Sequence, residues 1–459
     1  MARSVDVLVV GGGSTGWTAA GNLARLGLEV LVVERRPEAL GGARWLNQVP
    51  GWCFDDGGIA RPLAPELWGG HHGDAHVTVA GTKAAVRVHK VDGLHVDMRA
   101  LVSRLRDLAI GHGASFVSGD VSDPELSDGR VASVAVTDMG RVCARLFVDA
   151  SGLHGVLRSR VPVLAANCPA VRPEDLCAAA QFQYEVSDPS ALEAFLHIRG
   201  AKPGDSIAFL SLAGGYSTLT LFTEPSLREV GVLAGSITAM GAPSGAALVQ
   251  AFVSKAGWVG RALYGGQAAI PVRRPYALLG AGGVALVGDA ACQVYATHGS
   301  GVGMGLCAAR LLADAVSGDD PGSEPVLHRY TMQFQRRYGG LLAGADAFRR
   351  LSQSLDHRHI AALIEDGLLD EKVLASGMAQ RLPDAGARWL LERVIRGLGA
   401  PGTSARIFPT VLRMLALSAL GHVSATPHTF GAQAHEALVE RLVGRTPLRP
   451  ARLDLQDIG

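Results

Sequence analysis

The chain has 459 residues, of which 48% are hydrophobic and 19% are charged, and its formal net charge is +1. This length favours two or three domains rather than a single core. The near-neutral charge provides no strong field that would attract nucleic acid or an acidic membrane surface. The sequence shows no signal-peptide pattern, and no uncharged apolar run approaches the length of about 20 residues that spans a bilayer. We therefore expect a cytoplasmic protein with no stable membrane insertion.

The six cysteines form no CxxC pair, so their spacing does not indicate a metal site or a thioredoxin-like motif. In a chain of this length they are typical of buried thiols in a reducing compartment. We expect no metal cofactor.

The N-terminal segment has the pattern of a strand, a glycine-rich turn, a helix and a second strand. Residues 5–10 (VDVLVV) form a valine-rich apolar run, typical of a buried parallel strand. The spaced glycines Gly11, Gly13 and Gly16 follow and open a segment with helical spacing. Residues 29–34 (EVLVVE) then predict a second buried strand. The segment is therefore a βαβ unit of the expected size.

This unit predicts a dinucleotide site. The glycines let the backbone approach a pyrophosphate, and the helix N-terminus at Ser14, Thr15 and Gly16 offers free N–H groups and a partial positive charge. Glu34, at the end of the second strand, can accept hydrogen bonds from a ribose diol. Arg35 is either a contact to the adenosine ribose or phosphate, or simply an exposed basic residue. The fingerprint alone does not distinguish FAD from NAD.

The rest of the chain alternates between helical and strand patterns. Residues 95–113 have the amphipathic spacing of a helix. Residues 131–137 and 145–149 indicate a hairpin followed by a buried strand. Several β-like runs between residues 178 and 236 predict an antiparallel sheet inserted into the first domain. From residue 326 onward the pattern is almost entirely helical.

A second motif favours FAD. Residues 284–288 return to the buried-strand pattern and run into Asp289, whose carboxylate can bind a ribityl hydroxyl of FAD. The alternative is an ordinary turn or capping aspartate. Gly299, Gly301 and Val302 follow, where bare backbone at a helix start can lie against the flavin pyrimidine edge. Such backbone can stabilise the negative charge of a reduced flavin.

With these motifs the chain resembles the FAD-dependent oxidoreductase superfamily of class A flavoprotein monooxygenases, geranylgeranyl reductases and flavin-dependent halogenases, in its reductase and halogenase-like branch. The stretch GDAA is similar to the GD motif of that family, and the resemblance places Asp289 at the ribityl chain. Residues 147–152, followed by Arg158, resemble its middle motif. The resemblance also implies that Arg99 contacts the flavin linker and that Arg44 reaches the pyrophosphate.

Residues 271–275 (PVRRP) resemble the segment that precedes the GD strand in the reductase branch. The chain departs from the family pattern at Ala296, where a proline usually lies beside the flavin. The paired tryptophans typical of halogenases are absent. Gly215-Tyr216 matches a motif of the reductase branch, but Ser-Thr-Leu follows it instead of aromatic residues.

Two residues next to the glycine run are candidates for catalysis. His298 can deliver or accept a proton near the flavin ring, or it can only shape the loop. Tyr295 can line the substrate pocket by stacking or hydrogen bonding, or it can serve packing alone.

We predict an α/β fold with a Rossmann-like FAD-binding domain (1–160 and 270–325), an inserted β-rich substrate domain (161–269) and a helical C-terminal region (326–459). Since no second nucleotide fingerprint is visible, electrons would come from NAD(P)H or a separate flavin reductase. The resemblance implies a monooxygenase that hydroxylates a small apolar or aromatic substrate through a flavin C4a-hydroperoxide. The alternatives are a double-bond reductase of the geranylgeranyl reductase type and a flavin-carrying binding or redox-sensing protein.

Overall fold

The computed structural model describes residues 3–37, 40–69, 73–90, 92–316, 318–383, 387–423 and 429–444. The strands, in chain order, are β1 (Arg3–Val10), β2 (Val30–Glu34), β3 (Leu46–Val49), β4 (Ala75–Val79), β5 (Ala85–Val88), β6 (Leu94–Asp97), β7 (Ser115–Ser118), β8 (Val121–Ser127), β9 (Arg130–Val136), β10 (Gly140–Asp149), β11 (Leu176–Val186), β12 (Ser206–Leu210), β13 (Ser217–Thr223), β14 (Glu229–Ser236), β15 (Val259–Pro271), β16 (Gly280–Ala281) and β17 (Val284–Leu286). The α-helices are α1 (Ser14–Ala24), α2 (Gly51–Asp56), α3 (Met98–Gly111), α4 (Pro162–Asn167), α5 (Pro189–Ile198), α6 (Gly245–Val253), α7 (Val302–Val316), α8 (Glu324–Phe334), α9 (Gly340–Ser354), α10 (His357–Glu365), α11 (Glu371–Met378), α12 (Ala387–Gly399), α13 (Pro401–Val423) and α14 (Thr429–Val443).

The first sheet has the strand order β16-β17-β10-β1-β2-β7, and β8 and β9 extend it through β10. Central strand β1 pairs in parallel with β2 on one side and β10 on the other. Its residues from Val7 onward are almost fully buried, as an all-apolar strand covered on both faces must be. Helix α1 packs against α3 and α7. The Rossmann-like, parallel α/β core predicted from the sequence is confirmed.

The second sheet has the order β15-β11-β14-β13-β12-β4-β5 and is antiparallel except where β4 runs parallel to β12. Its apolar face packs against α5 and α6 around Leu192, Leu248 and Trp258. Strands β4 and β5 belong to this sheet although they come from the N-terminal third of the chain. They were not predicted, because their place in this sheet is set by the pairing of β4 with distant β12.

The predicted helix over residues 95–113 was wrong at its start. His95 and Val96 belong to β6, which pairs with β3, and the helix begins at Met98. The Asp97 carboxylate caps it by accepting a hydrogen bond from the Arg99 backbone N–H at 2.9 Å. The capping aspartate therefore marks the boundary that the apolar spacing did not show.

Helices α8 to α14 form the C-terminal region, and a π-helical turn at Gln335–Gly339 joins α8 to α9. A buried ionic cluster ties this region to the second sheet. The guanidinium group of fully buried Arg349 lies 2.7 Å from both Asp175 and Asp346. Among the described helices, none is both long enough and apolar enough to cross a membrane.

Candidate active site

The three glycines of the first turn have different surroundings. Gly11 has a φ of +107°, and a Cβ there would lie 2.4 Å from the carbonyl oxygen of Ala150. A Cβ on Gly16 would lie 1.9 Å from the carbonyl oxygen of Gly11. By contrast, no atom lies within 4 Å of a Cβ built on Gly13. The outer two glycines therefore allow close backbone packing, while Gly13 borders open space where a pyrophosphate can fit.

The N-terminus of α1 points its free amides at this space. The helix begins at Ser14, its N-cap Gly13 provides no side-chain cap, and the first intrahelical bond runs from the Trp17 N–H to the Gly13 carbonyl at 3.0 Å. The N–H groups of Ser14, Thr15 and Gly16 precede that bond and are available to an anion.

The structure brings Glu34 against the glycine turn. Its Oε2 accepts a hydrogen bond from the Gly12 N–H at 2.9 Å, and its Oε1 accepts one from the Arg36 N–H at 3.1 Å. Arg35 is exposed, 3.5 Å from a ring nitrogen of His154, and Arg44 is half-buried. The roles of these residues toward an adenosine ribose or pyrophosphate stay predictions.

Asp289 lies in a short 3₁₀ turn directly after β17. Burial raises the pKa of its carboxyl to about 6. Among the described residues no group donates a hydrogen bond to this carboxylate, and its Oδ1 lies 2.9 Å from the place of a Cβ on Gly301. A half-buried carboxylate without a protein donor fits a ligand hydroxyl, because such a group is costly to leave unpaired.

The middle motif connects the two halves of the site. Asp149 is completely buried and accepts hydrogen bonds from the N–H groups of Leu157 and Arg158 at 2.8 and 2.9 Å. The Arg158 guanidinium donates to the carbonyl of Ala290, next to Asp289, at 2.8 Å. These bonds fix the turn that carries Asp289.

Arg99 lies between the first domain and the second sheet. Its guanidinium pairs with Asp97 at 2.6 Å and lies 3.4 Å from the ring centre of Tyr264 in β15. Contact between Arg99 and the flavin linker stays a prediction.

A cavity of about 310 Å³ adjoins the glycine run that precedes α7. One end is formed by His298, Gly299 and Ser300, and the segment Trp45–Gln48 borders it. The second sheet forms another wall. The C-terminal region closes it with apolar side chains, namely Phe348, Leu351, Leu355, Ile360, Leu363, Leu369, Leu374 and Met378.

His298 and Tyr295 lie in different environments. His298 is exposed to the cavity, and desolvation by the protein that surrounds it lowers the pKa of its imidazole to about 4. Tyr295 packs edge-on to that ring, with 5.5 Å between ring centres, and only 7% of it is exposed. The structure places Tyr295 in the core, outside the described lining of the cavity, so its catalytic role stays a prediction.

The sequence did not single out three buried polar residues of the cavity wall. Oε1 of Gln181, Oγ of Ser211 and Oε1 of Gln380 have no hydrogen-bond partner among the described residues. Each residue is at most 3% exposed. The two glutamines inside the apolar run AAAQFQYEV could have indicated Gln181, because burying an amide without a hydrogen bond costs free energy.

The open space at Gly13, the uncapped start of α1 and the unpaired carboxylate of Asp289 together fit FAD. Comparison with known proteins points the same way. Residues 6–159 match a family model described as FAD dependent oxidoreductase. A digeranylgeranylglycerophospholipid reductase from Sulfolobus acidocaldarius is 25% identical over 86% of this chain and 88% of its own. One from Methanothermobacter thermautotrophicus is 27% identical over 81% of this chain and 93% of its own.

Solved structures share the fold. A geranylgeranyl bacteriochlorophyll reductase-like protein from Thermoplasma acidophilum superposes with a TM-score of 0.71 at 16% identity, covering 89% of this chain and 100% of that one. PqsL, a probable FAD-dependent monooxygenase from Pseudomonas aeruginosa, gives a TM-score of 0.57 at 17% identity, covering 79% and 100%. The chain is an enzyme that is similar to FAD-dependent oxidoreductases over its first third and to reductases of this kind over most of its length.

Proposed function

We propose that this enzyme reduces carbon–carbon double bonds in the apolar chain of an isoprenoid lipid. The observation that carries the proposal is the cavity, which begins at the glycine run expected to face the flavin and is closed by aliphatic side chains of the C-terminal region. Its volume is within the range of about 300–1,000 Å³ typical of small-molecule sites. The names of the two curated relatives support an isoprenoid substrate.

The protein groups have distinct tasks in this reaction. Ser14, Thr15 and Asp289 would hold FAD, which supplies a hydride equivalent to the double bond when it is bound and reduced. The aliphatic wall excludes water from the reacting carbon atoms and aligns the chain by shape.

His298 is the residue we propose as proton donor to the second carbon atom. It lies where the cavity meets Gly299, so a chain in the cavity would pass its ring. Because desolvation by the surrounding protein lowers the pKa of His298 to about 4, a proton on this imidazole is given up more readily than one on a histidine in bulk solvent. The neutral ring that remains is the form that these desolvated surroundings favour.

Hydroxylation, which the sequence motifs first favoured, is the second candidate. It is supported by the fold shared with PqsL, but that likeness concerns the fold alone. The aliphatic lining and the names of the curated relatives favour reduction.

The deciding experiment uses the FAD-loaded enzyme, reduced by dithionite under nitrogen and mixed with geranylgeraniol. We expect reoxidation of the flavin absorbance and saturated bonds in the product by mass spectrometry. In a parallel reaction in which the reduced enzyme, freed of dithionite, is mixed with the same alcohol and dissolved oxygen, oxygen uptake with a gain of one oxygen atom in the product would instead establish hydroxylation. Replacing dithionite with NADH, NADPH or a flavin reductase identifies the electron donor, which the structure leaves as a prediction.

A further inference from the structure

A surface cleft of about 300 Å³ lies on the other side of the wall that closes the cavity. It is bordered by Trp52 of α2, by the π-helical turn between α8 and α9, by residues 380–382 and by α13. The π-helical turn presents Arg336 and Arg337 side by side at the cleft. Turns of this kind are frequent at functional sites.

The cleft has an excess of positive charge. Arg336, Arg337 and Arg381 line it, against a single lining carboxylate, Asp56. Asp56 pairs with Arg337 at 2.8 Å. Within the described part of the chain, Arg336 and Arg381 have no carboxylate partner, and the Arg381 guanidinium lies 4.9 Å from the ring centre of Trp52. Two exposed guanidinium groups are therefore free to bind an anion.

One residue, Gln380, lines both the cleft and the apolar cavity. It is 1% exposed, its φ is +51°, and its Oε1 has no hydrogen-bond partner among the described residues. The preceding carbonyl, that of Ala379, accepts a hydrogen bond from the indole N–H of Trp52 at 2.8 Å. Among the described lining residues, Gln380 is therefore the one that borders both spaces, and its buried amide oxygen is unsatisfied.

We propose that the cleft binds the phosphate-bearing end of the substrate while the apolar chain of the same molecule occupies the cavity. This inference rests on the proposed function, because it assumes a lipid chain in the cavity. Guanidinium groups suit phosphate because their planar fork can donate two parallel hydrogen bonds. Gln380 lies where the polar end of such a molecule joins its chain, and its amide would bond that junction.

The test compares geranylgeranyl monophosphate with geranylgeraniol, which share the chain and differ in charge. Binding to the full-length, FAD-loaded protein is measured by tryptophan fluorescence, without turnover. We expect tighter binding of the monophosphate, and a rise in its Kd of about tenfold in Arg336→Gln and again in Arg381→Gln. The Kd of geranylgeraniol should not change. Arg261→Gln, at an exposed arginine of β15 outside both spaces, is the matched control.

Several results would overturn the assignment. Equal affinity of the wild-type protein for the two ligands would do so, as would equal weakening of both ligands in the arginine variants. A loss of NADPH binding in those variants, with monophosphate binding kept, would assign the cleft to a nicotinamide nucleotide instead. The melting temperatures of all variants are compared with that of the wild type to check that each variant folds.

Measuring both binding and turnover distinguishes failure of the cleft assignment from failure of the proposed reductase function. If the arginines bind the monophosphate but no bond is reduced, the cleft assignment stands and the reductase function fails. If both lipids are reduced equally well by the arginine variants and the wild type, the function stands and the cleft assignment fails.

Discussion

The imidazole of His298 faces Gly377 of α11, where an added Cβ would lie 3.6 Å from Nε2. The loop beside the expected flavin and the helical cover of the cavity therefore meet at this histidine. Because glycine has no side chain, Gly377 leaves space beside the imidazole ring, and a substrate chain can occupy that space.

Gly377→Ala should be tolerated, because 3.6 Å is an ordinary van der Waals distance and alanine is the better helix former by up to about 1 kcal/mol. Gly377→Leu should fill the space beside the imidazole and lower turnover while leaving the flavin content unchanged. Steady-state rates and flavin absorbance of both variants check this. Equal turnover of the two variants would show that the substrate does not pass this point.

His298 should give the reaction a distinctive pH profile. With a pKa of about 4, the protonated fraction falls about tenfold for each pH unit above that value. If His298 is the proton donor, the single-turnover rate should fall with that slope between pH 5.5 and pH 7.5. In His298→Ala the rate should be lower and lose this slope, while FAD binding stays nearly intact. A wild-type profile that is flat over this interval contradicts the assignment.

Gly13→Ala and Gly16→Ala should fail in different ways. The methyl group at Gly13 meets no protein atom within 4 Å, so the apo-protein should keep its stability but lose FAD affinity. At Gly16 the methyl group would lie 1.9 Å from the Gly11 carbonyl oxygen, so the turn itself must deform. Thermal melts with and without FAD distinguish the two effects. Unchanged FAD affinity in Gly13→Ala would remove the pyrophosphate from this position.

Asp289→Asn should weaken FAD binding and yet stabilise the FAD-free protein at neutral pH. Burial raises the pKa of Asp289 in the folded protein from 3.8 to about 6, so ionisation of the carboxylate opposes folding. The stability of the wild-type apo-protein should therefore fall as the pH rises from about 4 to about 6. The stability gained by replacing Asp289 with asparagine should be complete above about pH 6 and absent below about pH 4. Urea unfolding at pH 3.5 and pH 7.5 measures both ends.

Arg349→Met should destabilise the C-terminal region by up to about 3–5 kcal/mol, because it removes one of the two buried arginines, Arg349 and Arg350, that pair with both Asp175 and Asp346. The arginines beside Asp346 hold its pKa below the ordinary value, so their contribution is present above pH 3.8 and is lost on acidification. The stability that the Arg349→Met variant loses should therefore be smaller at acidic pH. Arg261→Met, at an exposed ion pair, is the control and should change stability little.

Local patterns were enough to predict β1, α1 and β2, because the signals for buried parallel strands and for a glycine turn lie in adjacent residues. The runs that contain β11 to β14 were also predicted, because they follow one another along the chain with β-like patterns. Strands β4 and β5 were not predicted, because their place is decided by the pairing of β4 with distant β12 and of β5 with β4. The helical cover of the cavity could not be predicted either. Nothing in the sequence around Leu363 or Gln380 indicates that these residues face Gly299 across a shared space.

The parallel core has a consequence for the order in which the protein can fold during synthesis. Phe147, Val148 and Asp149 of β10 pair with β17, and all of the second sheet from β11 to β15 is translated between these two strands. Contacts across such a sequence separation form late in folding. The growing chain should therefore expose this end of β10 until residue 286 has emerged, which makes it a site for chaperone binding. A variant that slows folding of the second sheet should then reduce flavin incorporation without touching a flavin contact.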